Sequence, residues 1–279
     1  MNNLVLRIVT ALIGVAVIIG SIFLNTWVFV LVFTAIGFAT HFEYMRTITL
    51  NASKKPGIEL PFALAAGLAI IAAINANVFD LSAFHLLSVT VFLWPAGIII
   101  LEIFYNREKP FEHIGLNILG LLYIPLAFGL FIFYAIDFGG TVKTWFAVGL
   151  LFMVWFNDSF AYFAGRFWGK KKLFERISPK KTWEGFWGGL VMTVVCGVIM
   201  SFLFDELGLI QWMVWGVIVA VSGTLGDLAE SLLKRSIQIK DSGSILPGHG
   251  GFLDRFDGFI MVIPFTVTYL EILKFFHLV

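Results

Sequence analysis

Asp227 and Glu230 stand three residues apart near the end of an apolar run, GTLGDLAESLLKR, with Lys234 four positions further on. On a helix all three share one face. A second acidic pair at the same spacing, Asp254 and Asp257, opens the next apolar run in FLDRFDGF, and Asp158 sits inside an earlier one, WFNDSFAYFAGR. An unpaired acid at mid-membrane costs about 2.5–3.5 kcal/mol on insertion scales, so these together would cost on the order of 10 kcal/mol unless neutralised. Lys234, Arg235 and Arg255 are at hand to pair with some of them; the rest need water or cations. Carboxylates offered in pairs from two helices suit Mg²⁺, which takes one or two of them, keeps several waters and completes its shell with phosphate oxygens. An oxygen-only donor set disfavours zinc. The competing reading is a set of interhelical salt bridges that only fixes packing.

Between the two acidic pairs lies the turn LPGHGG, from Leu246 to Gly251, preceded by Lys240 and Asp241. Pro247 fixes φ, and Gly248, Gly250 and Gly251 allow positive φ and close backbone approach. Backbone amides exposed just before a helix start suit a phosphate. His249, the one histidine near the cluster, fits a phosphate or backbone contact better than a metal ligand. A second basic loop, GRFWGKKKLFERISPKKTWEGFWGG, holds Lys170 to Lys172, which ordinary retention of positive charge on one membrane side explains. It explains SPKKTWEG less well, where Glu184 alternates with hydroxyls and cations, and Lys181 or Lys180 is a candidate for a substrate phosphate. Ser178 and Pro179 read as an N-cap and first-turn pair, which predicts Lys180, Lys181 and Thr182 in the first turn of a short helix.

The elements that must position these groups are membrane helices. The chain of 279 residues is 59% hydrophobic and only 13% charged, against roughly a quarter charged in soluble domains, and its mean hydropathy is +0.93. Apolar runs of about 18–23 residues cross a hydrocarbon core of about 30 Å. They fall near 5–24, 27–45, 61–79, 84–104, 116–137, 144–165, 185–204, 210–233 and 258–276. Lipid leaves backbone groups to be satisfied internally, and strict alternation is missing, so the fold class is all-α: a polytopic integral membrane protein of about nine transmembrane helices. The first run is too long for a signal-peptide core and reads as a retained helix. Seventeen of the nineteen Lys and Arg lie at the N-terminus or after even-numbered runs; Lys143 and Lys274 are the exceptions. That asymmetry places the N-terminus and the acidic cluster in the cytoplasm. Residues 1–143 read as a scaffold half, with Glu43 and Glu102 near span ends, and residues 144–279 as the catalytic half. Cys196, the single cysteine, excludes an internal disulfide and reads as a small buried residue.

Through these residues the chain resembles the phosphatidate cytidylyltransferase (CDP-diacylglycerol synthase) family. The family signature runs S-x-apolar-K-R, four residues, K-D, then a small residue, an apolar and Pro, H-G-G, apolar, and D-R-apolar-D. Ser231, Lys234, Arg235, Lys240, Asp241, Gly243, Leu246, Pro247, His249, Gly250, Gly251, Asp254, Arg255 and Asp257 fill it over 27 contiguous positions. FNDSFAYFAGR and SPKKTWEGFWGG are similar to the family's upstream motifs, while the first half resembles it in hydropathy and span count only. The resemblance implies transfer of CMP from CTP to the phosphate of phosphatidic acid, with Mg²⁺ and K⁺ in a two-cation site, in a homodimer. It implies that Asp227, Asp254 and Asp257 hold the cations and act in catalysis with Lys234 and Asp158. Ser178, Lys181, Glu230, Arg235, Lys240, Asp241, His249, Gly250 and Arg255 would bind substrate. The expected location is a bacterial inner (plasma) membrane with the site facing the cytoplasm, where CTP is found. Membrane lipid is an expected partner and nucleic acid is not.

The elementary chemistry agrees with that activity. Attack of a phosphate monoester on the α-phosphorus brings two anions together, so cations between them matter more than a general base. A cation-coupled transporter would spread its acids towards both faces, and here they gather at one. A CTP-dependent lipid kinase, attacking at the γ-phosphorus, is the closer rival, and a CDP-alcohol phosphotransferase lacks its D-G-x-x-A-R run here.

Overall fold

A computed structural model describes residues 3–52, 57–75, 84–105, 107–137, 139–239, 242–243, 245 and 250–278. Among them nine helices follow one another: α1 (Asn3–Leu24), α2 (Thr26–Ala52), α3 (Glu59–Asn75), α4 (Phe84–Phe104), α5 (Pro110–Ala135), α6 (Thr144–Trp168), α7 (Trp183–Leu203), α8 (Leu209–Ser236) and α9 (Leu253–Phe275). Seven of them, α1, α2 and α5 to α9, are long and apolar enough to cross a membrane, and α3 is a shorter apolar helix. The chain is an all-α, polytopic membrane protein. Its inversion relative to a soluble fold is plain on α1, where Ile8, Leu12, Ile13 and Val17 are exposed, as suits a helix that meets lipid tails.

Two compact units divide the chain: residues 1–142 with 241–256, and residues 143–240 with 257–279. In the first, α2, α3 and α5 pack on one another, closed by interlocking Phe29, Phe33 and Phe131, whose ring centroids lie 4.7 to 5.7 Å apart. Arg107, in the loop between α4 and α5, turns its side chain inward. It pairs with Glu59 at 2.8 Å and with Glu102, and His113 on α5 joins Glu102 at 3.1 Å. Arg107 also lies 4.4 Å above the Tyr105 ring. Two acids at the ends of α3 and α4 thus share one guanidinium, whose planar fork can serve two carboxylates at once.

In the second unit small residues let the helices approach closely, the usual solution where lipid supplies no hydrophobic drive between helices. A Cβ at Gly149 would meet the Trp212 ring at 2.8 Å, and one at Gly216 would meet the Thr193 carbonyl at 2.9 Å. Trp212 and Trp215 are fully buried, and Trp215 donates its indole N–H to Thr266 Oγ1 at 3.0 Å, tying α8 to α9.

The short helix expected to begin at Ser178 is not formed. Residues Ser178–Thr182 make a strand, β2, antiparallel to β1 (Lys172–Phe174), with Lys172 opposite Thr182 and Phe174 opposite Ser178. The capping function sits four residues later: Thr182 is the N-cap of α7, its Oγ1 accepting the Gly185 backbone N–H at 3.2 Å. Hydrogen bonds to a partner strand satisfy the backbone at 178–182 without a helix, and Pro179 with its fixed φ is tolerated on a two-stranded edge.

Candidate active site

The α6–α7 hairpin positions its lysine through local bonds on both sides. Trp183 N–H donates to the Lys171 carbonyl at 2.9 Å, and Glu184 accepts the backbone N–H groups of Lys170 and Lys171 at 3.0 and 3.2 Å. Glu184 therefore works as a loop fastener rather than facing substrate. With β1 and β2 registered and Thr182 capping α7, Lys181 is held at the end of the strand and forms an ion pair with Asp227 Oδ2 on α8.

Asp227 has a second neighbour. Its carboxyl and that of Asp257 on α9 come within hydrogen-bonding distance. Helix packing forces this approach: a Cβ at Gly226 would lie 2.6 Å from the Asp257 carbonyl oxygen and 2.9 Å from Gly258 Cα. Asp257 and Glu230 are both buried, and Glu230 pairs with Lys234 one turn on at 2.5 Å. The charges of Lys181 and Lys234 both act on Asp227, and those of Asp227 and Glu230 on Asp257. Lys234 and Arg235 occupy the last turn of α8, where positive charge complements the helix dipole.

Five sequence-nominated residues of the second unit, Lys181, Asp227, Glu230, Lys234 and Asp257, thus form one cluster. Of the others in that unit, Asp158 on α6 and Arg235 on α8 are exposed, and Ser178 stands at the far end of β2, opposite Phe174. Lys240, Asp241 and His249 lie outside the described residues. In the first unit Asp254 Oδ2 accepts the Gly251 N–H at 3.2 Å, and Arg255 is exposed. Gly250 has φ +87°, a conformation that favours glycine, and a Cβ there would lie 3.3 Å from Asp254 Oδ2.

Among the described residues no three His, Cys, Asp or Glu side chains form a ready-made metal shell. The Asp227–Asp257 pair nevertheless fits a divalent ion. Two carboxyls in contact cannot both be ionised without a proton or a cation between them, and Mg²⁺ needs only one or two protein carboxylates when phosphate oxygens and water fill the rest of its shell. The oxygen-only chemistry of the pair is also the chemistry a hard cation selects.

Sequence reasoning noted Glu43 as an acid near a span end but gave it no role. It is buried on α2 and accepts the backbone N–H of Leu253, at the start of α9, at 2.9 Å. An acid within an apolar helix was the available signal, since burying one unpaired is costly; its partner, 210 positions away, could not be read from the chain.

A helical membrane protein that gathers three carboxylates and two lysines into one cluster has the equipment of a phosphate-transferring enzyme. Comparison with known proteins narrows this. The model of the cytidylyltransferase family matches residues 5–273, and the chain belongs to that family, an enzyme of the nucleotidyltransferase class. It is 32% identical over 266 residues to the phosphatidate cytidylyltransferase of Bacillus subtilis (strain 168), covering 93% of this chain and 94% of that one. It is 49% identical over 113 residues to the phosphatidate cytidylyltransferase of Staphylococcus haemolyticus, covering 40% of this chain and 44% of that one.

Proposed function

We propose that the chain is a phosphatidate cytidylyltransferase: it transfers CMP from CTP to the phosphate of phosphatidic acid, releasing pyrophosphate and forming CDP-diacylglycerol for phospholipid synthesis. One observation carries the reading beyond the family match. Asp227 stands between Asp257 and Lys181, a carboxylate pair with a cation beside it, in a protein whose substrate must be a lipid to justify a site at a membrane.

Phosphoryl-type transfer depends on positioning and charge neutralisation. The lipid phosphate is already ionised near neutral pH, so no side chain need remove a proton from it. Lys181 and Lys234 supply positive charge for the oxygens of the nucleotide and the leaving pyrophosphate, where preorganised charge is worth most. Asp227 and Asp257, with Asp254, are the residues that would hold Mg²⁺, and K⁺ is proposed as a second cation. A bound divalent ion would screen the two reacting anions from each other and polarise the attacked phosphorus. Asp158, Ser178, Arg235, Lys240, Asp241, His249, Gly250 and Arg255 complete the proposed substrate-binding set. The distribution of Lys and Arg supports nine crossings with the N-terminus and the site in the cytoplasm, and the protein is proposed to work as a homodimer in a bacterial inner membrane.

The test is incubation of the purified protein with α-³²P-CTP, phosphatidic acid and Mg²⁺. Label should enter the lipid fraction. Label found only in soluble nucleotide defeats the proposal, and lipid labelling from γ-³²P-CTP instead would identify a kinase.

A further inference from the structure

We infer that Glu43 is the positioning residue for the start of α9, so that α2, in the half of the chain without catalytic motifs, holds the backbone immediately before it. The consequence for turnover rests on the activity proposed above; the consequence for the loop does not.

Three sets of contacts carry the inference. Glu43 Oε2 accepts the Leu253 N–H at 2.9 Å, and the backbone amides of Phe252 and Ile245 also act on the carboxylate. One helical turn along α2, Thr47 Oγ1 donates to the Ser242 carbonyl at 3.1 Å, so two side chains on one face of α2 hold both ends of the segment 242–253. Finally, two signature glycines pack directly on the carboxylate. A Cβ at Gly243 would lie 2.5 Å from Glu43 Oε1, and one at Gly251 would lie 2.4 Å from Oε2 and 2.8 Å from Ser242 Oγ. Below 3.0 Å something must shift, and at both glycines the group that would have to move is the Glu43 carboxylate that the Leu253 N–H engages.

The physical logic is that of a helix N-terminus. The first N–H groups of α9 have no intrahelical acceptor, and a negative charge there is favourable. The acid that accepts the first of them, from Leu253, comes from another helix. Its carboxylate is engaged by backbone donors, which makes it a fixture rather than a reacting group. By holding Leu253 it fixes where the next residue, Asp254, is presented.

The experiment uses the full-length protein in detergent, with Glu43→Gln as the primary variant, isosteric and still able to offer one acceptor. Hydrogen–deuterium exchange over 242–256 should quicken about ten-fold, as expected when the hydrogen bond from Leu253 keeps an acceptor but loses its charge, while α3 and α5 keep wild-type protection. CMP transfer should fall by a similar factor in kcat/KM. Gly251→Ala should do the same, and because removing the carboxylate makes room for the new methyl, Glu43→Ala combined with Gly251→Ala should be less damaging than the product of the two single effects. Wild-type exchange over the loop in Glu43→Gln, exchange raised evenly through the first unit, or fully multiplicative effects would each overturn the inference. A wild-type protein that puts no label in lipid would sink the proposed activity alone, leaving exchange to decide the role of Glu43.

Discussion

Lys181, at the end of a two-stranded hairpin, closes an ion pair with Asp227 on α8, 46 positions along the chain. The same carboxylate meets Asp257 on α9. One side chain thereby links the hairpin and two helices, and its two neighbours, a cation and an acid, are the two kinds of group that handling a metal-bound phosphate requires.

Replacing either member should stop turnover without unfolding the protein. Asp227→Asn and Lys181→Ala are each expected to lower the rate of CMP transfer by about 10²–10³-fold, the range seen when one preorganised charge-stabilising group is removed. Membrane insertion and monodispersity in detergent should persist. A variant within two-fold of wild type would take its residue out of the mechanism.

Chelation should abolish transfer and added Mg²⁺ should restore it. Asp257→Asn should move the Mg²⁺ concentration for half-maximal activity upward by at least about ten-fold, since even residues that merely support metal ligands cost that much in affinity. Undiminished activity in excess EDTA would contradict a carboxylate-held cation outright.

Thr182 is predicted to matter for the stability of α7. Thr182→Val removes the acceptor for the Gly185 N–H and should cost about 1 kcal/mol. In a chain of this size that corresponds to a melting temperature lower by roughly 2–4 °C. Thr182→Ser should keep most of it. Equal melting of Val and Ser variants would show that the cap contributes nothing.

The largest stability effect should come from Arg107. Truncation to Ala leaves Glu59 and Glu102, both buried, without their shared guanidinium, and losing one partner of a buried ion pair costs about 3–5 kcal/mol. Thermal unfolding in detergent should show this, with Arg107→Lys recovering only part because an ammonium cannot reproduce the planar fork. A melting temperature unchanged in Arg107→Ala would mean that the acids are neutralised by other means.

The helices themselves were legible because lipid leaves a chain little choice. Runs of about 20 apolar residues can only be helices there, and α1, α4 and α7 begin and end within two residues of the expected 5–24, 84–104 and 185–204. The acid pairs on α8 and α9 were legible for the same reason: i, i+3 spacing has a fixed meaning on a helix. Ser178–Pro179 misled because its local preference for a helix start was outweighed by pairing with Lys172–Phe174, and a hairpin partner is a tertiary choice even at short range.

What the amino-acid order determined by itself was the all-α membrane class, the acidic residues that could meet phosphate, and the family pattern through which they are read. Only the folded chain decided that Lys181 rather than Lys180 faces Asp227, that Arg107 turns inward from its loop to pair with two buried acids, and that Glu43 holds the start of α9. The reason is the range of the forces: hydropathy and helix periodicity act along the chain, whereas a buried charge takes whatever opposite charge or backbone donor packing brings beside it.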